Sequence, residues 1–435
     1  MYALPLDLLR SIIQHIPKRD LPALRLACHS LDRPAAESLY CNTTVWIQRQ
    51  SLERLLNIAH SGVGRHVKRL TLGFELLPRE LPKPESYLSW LYHQHCREFP
   101  SDPPPPPYPV LTFANIGDLT GRTDWTEDRM LEAYGQYGRM IEEQQFMEVT
   151  GMDVVSLAAS LSRLDNLHSI VIKADYYNEG RSLADFPRDI SLLLEKALLI
   201  PYYNRHIRKD QGRRHLRNII RATAAATVKV TELAISDSDN IMATRVLSLR
   251  PEDLKIADFA FQHVKKFYFK LPDFTANASD EKIFAGGQLA QLIQAMGCLE
   301  ELTLVSSSYN PYVPWEAICG TKRLASLRVL DLQSFDFQEQ EFMEFLLRHK
   351  TTLRVLKLFC AEMYSGTFSS LLSRMRENLD LVSLELTGVL EDIEGNFLDY
   401  SYVAAKALED YVTKRRHQFP LDIVRLHQRG NSEEI

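Results

Sequence analysis

Several signatures are missing from this 435-residue sequence. No uncharged apolar run approaches the roughly 18 residues that a membrane-spanning helix needs. Asp7 and Arg10 interrupt what would have to be the apolar part of a signal peptide. The expected location is therefore cytoplasmic or nuclear. The six cysteines (Cys28, Cys41, Cys96, Cys298, Cys319, Cys360) contain no C-x-x-C pair. Several of them lie within apolar patterns, which reads as buried thiols of a reducing compartment rather than a disulfide framework. Charge of one sign is also lacking, since 51 basic residues face 56 acidic ones for a net of -5. Such a balance draws neither nucleic acid nor an anionic membrane.

Chemistry is equally sparse. There is no G-x-S-x-G elbow, phosphate-binding glycine loop, H-E-x-x-H pair or dinucleotide fingerprint. The paired acids Glu142-Glu143 and Glu391-Asp392 read as exposed helix or loop charges. His93, His95 and Cys96 crowd too closely to converge on one metal, and no partner pair supplies a fourth ligand. The expectation is a chain without catalytic residues, metal or cofactor. The basic runs Arg205 to Arg217 and Lys414 to His417 read as solvated helix faces or ends.

What the sequence does hold begins at its N-terminus, LPLDLLRSIIQHIPKRDLPALRLACHSL. Leu9, Ile12, Ile13 and Ile16 fall at i, i+3, i+4 and i+7, one stripe of an amphipathic helix. Pro17 ends it. Asp20 reads as the N-cap of a second helix, with Pro22 in its first turn and Leu21, Leu24 and Cys28 as its stripe. A short third helix around Pro34 to Leu39 and a strand from Thr43 to Ile47 follow. SLERLLNIAHSG reads as a helix capped by Ser51 and closed by Gly62, and it leads into VKRLTLGF, where Val67, Leu70 and Leu72 have repeat-strand spacing.

Prolines dominate LPRELPKPESY and SDPPPPPYPV, which predicts an exposed insertion of polyproline character over 78–124, a spacer or an SH3- or WW-type ligand. Helices are expected in WTEDRMLEAYGQYGRMIEEQQF, capped by Thr126, and in DVVSLAASLSRL. Two more are expected from Leu183 to Tyr203 and from Arg205 to Thr227. An L-x-x-L-x-L pattern then recurs, and its last four middle leucines, Leu302, Leu330, Leu356 and Leu384, are spaced 28, 26 and 28 residues apart. That is leucine-rich-repeat spacing, and each interval holds a helix-like segment. A strand plus a returning helix is one solenoid turn, which buries its apolar side only against its neighbours. The expected fold class is α/β, an irregular leucine-rich-repeat solenoid with a curved parallel sheet over 125–435.

The opening stretch resembles the F-box. Its matching residues run Leu4-Pro5, Asp7, Leu8-Leu9, Ile12-Ile13, Ile16-Pro17, Asp20-Leu21, Leu24-Arg25, Ala27-Cys28 and Leu31, while His29 and Asp32 replace later basic and tryptophan positions. The continuation through VKRLTLGF looks like the F-box and leucine-rich-repeat proteins common in filamentous fungi. The resemblance implies a three-helix F-box over 1–50, joined by a connecting helix and first repeat strand over 51–77. It also implies docking on the Skp-type adaptor of a cullin–RING ubiquitin ligase through Leu4, Pro5, Leu8, Leu9, Ile12, Ile13, Ile16, Pro17, Leu21, Leu24, Cys28 and Leu31. The repeats would bind a target protein. Ser334, Phe335, Phe359, Cys360, Thr387 and Gly388, directly after repeat strands, are the candidate target contacts or else structural turns. The alternatives are a scaffold acting outside the ligase and, from another class, an enzyme whose site is dispersed in sequence.

Overall fold

The computed structural model describes residues 4–73, 77, 80–95, 110–173, 188–199, 213–236, 244–247, 249–271, 286–306, 314–393, 396–398, 402–420 and 426–428. Three short helices open it: α1 (Leu6–Gln14), α2 (Leu21–Ala27) and α3 (His29–Tyr40). Asp20 does precede α2, with Pro22 in the first turn, but its side chain caps nothing. Its backbone is already helical at φ -94°, where a capping side chain needs an extended residue. The third helix starts at His29, not Pro34; Pro34 lies in its second turn, buried against the module. Ile13, Leu21 and Ala35 form a small core of their own, with Ile16, Leu24, Leu31 and Leu39 packed on it. Arg10 bonds Glu37 at 3.0 Å and Arg25 bonds Asp32 at 2.9 Å, tying the three helices together.

From Asn42 onward the chain becomes a stack. Its strands are β1 (Asn42–Trp46), β2 (Arg69–Gly73), β3 (Ser169–Lys173), β4 (Glu232–Ser236), β5 (Lys266–Lys270), β6 (Glu301–Val305), β7 (Val329–Gln333), β8 (Asp336–Gln338), β9 (Val355–Ser365), β10 (Ser383–Glu391), β11 (Asn396–Leu398) and β12 (Leu426–Gln428). They form one sheet in the order β1-β2-β3-β4-β5-β6-β7-β9-β10-β11-β12, with β8 also on β9. Pairs from β1 to β10 are parallel, while β11 and β12 close the end antiparallel. One register row runs Thr43, Leu70, Ile170, Leu233, Phe267, Leu302, Leu330, Leu356, Leu384, and every member is buried. The irregular spacing in the first half therefore changes the length of chain between strands and leaves their stacking intact.

A second device repeats with the strands. The carbonyls of Cys41, Lys68, His168, Thr231, Lys265, Glu300, Arg328 and Arg354 each accept two successive N–H groups from the next strand. Every strand begins at the same height, which a shared acceptor enforces regardless of the length of the intervening chain.

Helices return between the strands: α4 (Arg49–His60), α5 (Pro84–His95), α6 (Ile116–Thr120), α7 (Glu127–Thr150), α8 (Met152–Leu161), α9 (Arg188–Lys196), α10 (Arg213–Ala226), α11 (Pro251–Ala260), α12 (Gln288–Gln294), α13 (Trp315–Cys319), α14 (Glu339–Arg348), α15 (Phe368–Asn378) and α16 (Tyr402–Val412). Thr126 caps α7 by accepting from Arg129 N–H, as its sequence suggests. Ser51 does not cap α4, which starts earlier, at Arg49; the Ser51 hydroxyl is buried and accepts the Trp46 N–H at 3.0 Å, sealing the edge of β1. The helix expected to reach Tyr203 ends at Lys196, beyond which Leu198 turns left-handed at φ 52°.

Two further expectations fail for physical reasons. The proline-rich segment is not helix-free: Pro84 begins α5, where a missing N–H costs nothing, and Tyr87, Leu88 and Leu91 of α5 are buried with Trp46, Ile116, Trp125 and Tyr137 in a second core. The proline run 101–109 lies outside the described residues. A Cβ at Gly73 would collide with the Trp46 indole, so glycine is what lets that ring enter the second core. The basic run Arg205 to Arg217 lies outside the described residues up to 212, and its described end, 214–217, is no solvated face. Within α10, Arg214 and His215 are fully buried, Arg214 against Asp153 at 2.7 Å and His215 Nε2 against the Gly73 carbonyl at 3.0 Å. Arg221 reaches Asp253 of α11 at 2.7 Å. Cations in this repeat helix face its neighbours because each neighbour offers a buried carboxylate.

Candidate functional site

In α1, residues four apart share a face, so Leu8 and Ile12 line up with Leu4 just before the helix. Leu4, Leu8 and Ile12 are 53%, 52% and 51% exposed, and Leu26 of α2 is 90% exposed. Pro5, Pro17 and Cys28 are exposed too. The opposite side of the same helix holds Ile13, fully buried. The twelve residues expected to dock an adaptor therefore divide: Leu4, Pro5, Leu8, Ile12, Pro17 and Cys28 reach solvent, Leu9, Ile16, Leu24 and Leu31 are half-buried, and Ile13 and Leu21 are sealed in the module's own core. Those two hold the helices together and cannot meet a partner. Leu26 is a further exposed apolar residue that sequence reasoning did not single out, since it lies off the Leu21–Leu24–Cys28 stripe.

Cys28 stands at the N-cap position of α3 without a side-chain capping bond, and the Ser30 hydroxyl lies 3.0 Å from its sulfur. That hydrogen bond, with the Leu31 backbone, holds its thiol below the ordinary value. Cys28 and Cys298 are exposed, against the expectation of buried thiols; Cys41 and Cys360 are half-buried, and Cys319 alone among the described cysteines is buried. An outward Cys28 follows from the N-cap position, which points its side chain off the helix end.

The second surface is the face of the sheet turned away from the leucines. Its polar residues pair along the register, Lys266 with Glu301 at 3.2 Å and Lys357 with Glu385 at 2.8 Å. Burial raises the Asp331 carboxyl above its ordinary value, against a bond from Gln333. Of the candidate target contacts, Ser334, Cys360 and Gly388 occupy equivalent places after β7 and inside β9 and β10, all left-handed at φ 55°, 50° and 73°. Gly388 lies at the register shift between Thr387 and Leu390, opposite Cys360, whereas the pairing on either side of Ser334 keeps its register. Phe359 and Thr387 are exposed, whereas Phe335 is 3% exposed and stacks on Trp315 inside the core. Phe335 is thus a packing residue: the left-handed step at Ser334 reverses the alternation and sends it inward.

A cleft of about 400 Å³ between the end of α3 and α4 is lined by Tyr40, Gln50, Glu53, Arg54, Asn57, Ile58, Ser61 and Val63, with one carboxylate and no histidine. Among the described residues no group of three or more His, Cys, Asp or Glu side chains is placed to hold a metal ion. His93 and His95 lie in α5, but their side chains, and Cys96, are outside the described residues. No helix among the described residues is long and apolar enough to cross a membrane.

No protein-family model and no curated protein matches the sequence. Among solved structures, the chain is similar to the leucine-rich repeat-containing protein LegL7 from Legionella pneumophila, with 11% identity and a TM-score of 0.30 over 87% of this chain and 99% of that one. The leucine-rich-repeat character of this fold rests on its own strand order, register and returning helices.

Proposed function

We propose that the chain is a substrate-recruiting subunit of a cullin–RING ubiquitin ligase of the SCF type. The F-box-like helices α1 to α3 bind the Skp-type adaptor, and the open sheet face binds the protein to be ubiquitinated. The observation that carries this reading is the row Leu4, Leu8 and Ile12, left uncovered on a module that already has a separate core, with Leu26 of α2 exposed as well. An apolar row of this kind on a self-sufficient module is a docking surface in want of a partner. Burying it would contribute several kcal/mol at roughly 25 cal/mol per Å² before association costs.

In this role the protein catalyses nothing. It holds a target lysine near the ubiquitin-charged enzyme, and its contribution is effective concentration and orientation. Co-purification of the full chain with the adaptor and cullin tests the reading. Recovery of both supports it, recovery of the adaptor without cullin points to a scaffold outside the ligase, and recovery of neither refutes it.

A further inference from the structure

Across the last repeats the open face of the sheet changes character. Asp336 stands opposite Glu362, and Glu362 opposite Glu391, so one register row over β8, β9 and β10 is acidic throughout. Like charges directly opposite each other are destabilising. Beyond the intervening row Gln333, Phe359 and Thr387 stand Asp331, Lys357 and Glu385, which add two carboxylates and a single lysine, already paired with Glu385. Glu362 is exposed and pairs with no cation among the described residues. Partial burial pushes the Asp336 carboxyl up to about 6, although the Tyr364 hydroxyl donates to it at 3.1 Å.

Apolar side chains flank this row on the same face: Phe359 is 44%, Tyr364 41% and Val389 52% exposed. The backbone kinks are what present them. A Cβ at Gly388 would press on the Phe359 ring at 3.2 Å and collide with Cys360 Sγ, so glycine there is needed for the ring to lean toward β10.

We propose that the open face of β7 to β10 binds an extended segment of a partner protein that carries lysine or arginine side chains with an apolar residue among them. Charge complementarity selects this occupant, because phosphate-bearing nucleic acid and anionic lipid would be repelled by the acidic row. Strand spacing of about 4.8 Å sets the carboxylates so that two cations on alternate residues of an extended chain, about 7 Å apart, bridge the row. An apolar side chain at the next alternate position, on the same face of the extended chain, meets Phe359 or Val389. The proposal rests on reading this face as the target-binding surface, and it is independent of adaptor docking by α1.

The test is fluorescence anisotropy of the full chain with a labelled short peptide carrying two lysines and a leucine at successive alternate positions with serine between them, and with its counterpart carrying glutamate for lysine. The lysine peptide should bind, more weakly as salt is raised, and the glutamate peptide should not. Glu362→Gln should weaken binding about threefold, the scale of an exposed ion pair, and Phe359→Ser should weaken it further. Glu377→Gln on the exposed side of α15 makes the same change in net charge and should leave binding unchanged. Equal weakening by Glu377→Gln, indifference to Glu362→Gln, or equal binding of the two peptides would overturn the proposal. Adaptor co-purification of the same variants should be unaltered, so failure here leaves the docking reading standing.

Discussion

Arg214 and Asp153 are both sealed from solvent and lie 2.7 Å apart, one on α10 and the other on α8. Asn218 donates to the same Asp153 oxygen at 2.7 Å, and Glu148 stands 3.5 Å from the guanidinium. Together with Arg221 and Asp253, this clips three successive helices of the stack side by side.

The first prediction follows from that burial. Removing one partner of a buried pair strands the other, at about 3–5 kcal/mol. Asp153→Ala should therefore lower stability by about that amount in urea unfolding. The exposed pair Arg49–Glu53, at 2.9 Å, has ordinary distance but open surroundings. Glu53→Ala should cost under about 1 kcal/mol. Similar losses for the two variants would show that burial is not what makes the first pair matter.

Acidification should destabilise the fold. The Leu324 N–H donates to His349 Nε2 at 2.9 Å, so the neutral ring carries its proton on Nδ1, which donates to the Phe345 carbonyl at 2.8 Å. Burial lowers the His349 value, and burial with the Arg214 charge lowers that of His215 to about 3. Both rings are neutral in the fold and protonate readily in the unfolded chain, whose value is about 6.5. Their contribution is present above that value and lost as pH falls below it, by about 1.4 kcal/mol per pH unit for each proton taken up. Asp336 acts oppositely: raised to about 6, it favours the fold below the unfolded carboxylate value and loses this as pH rises. With His66 also lowered by burial and Asp331 also raised by it, three histidines against two carboxylates leave a net decline in the urea midpoint between pH 6.5 and pH 5. A flat or rising midpoint would refute this balance.

Thiol reactivity should rank with exposure and local hydrogen bonding. Iodoacetamide on the native protein, followed by peptide mapping, should label Cys28 fastest, since Ser30 favours its thiolate. Cys319 is fully buried and burial pushes its thiol up, so it should react only on unfolding. Labelling of Cys319 at a rate like that of Cys28 would contradict the packing of α13.

Much of the stack was legible in the sequence because inward leucines recur at fixed spacing, and every strand expected from that pattern forms in register. The Thr126 cap was legible for the same local reason. What escaped was decided by tertiary neighbours. Cationic Arg214 looked solvated until Asp153 was brought beside it, and Ser51 looked like a helix cap until the edge of β1 claimed its hydroxyl. Phe335 looked like a surface residue because strand alternation cannot foresee the left-handed step at Ser334. In the opening module the periodicity located both faces of α1, but Ile12 and Ile13 stand on opposite sides of the boundary between exposed face and core, and one position on a helix is too fine a distinction for the pattern.

That distinction supplies the most direct measurement. Titrating the Skp-type adaptor into the full chain by calorimetry, wild type against Leu8→Asp with Ile12→Asp, separates docking from folding because both side chains already face solvent. The expected result is binding by the wild type and loss of it in the double variant, with an unchanged melting temperature. Undiminished binding in the variant, or no binding by the wild type, would contradict the assignment of this face as the docking surface.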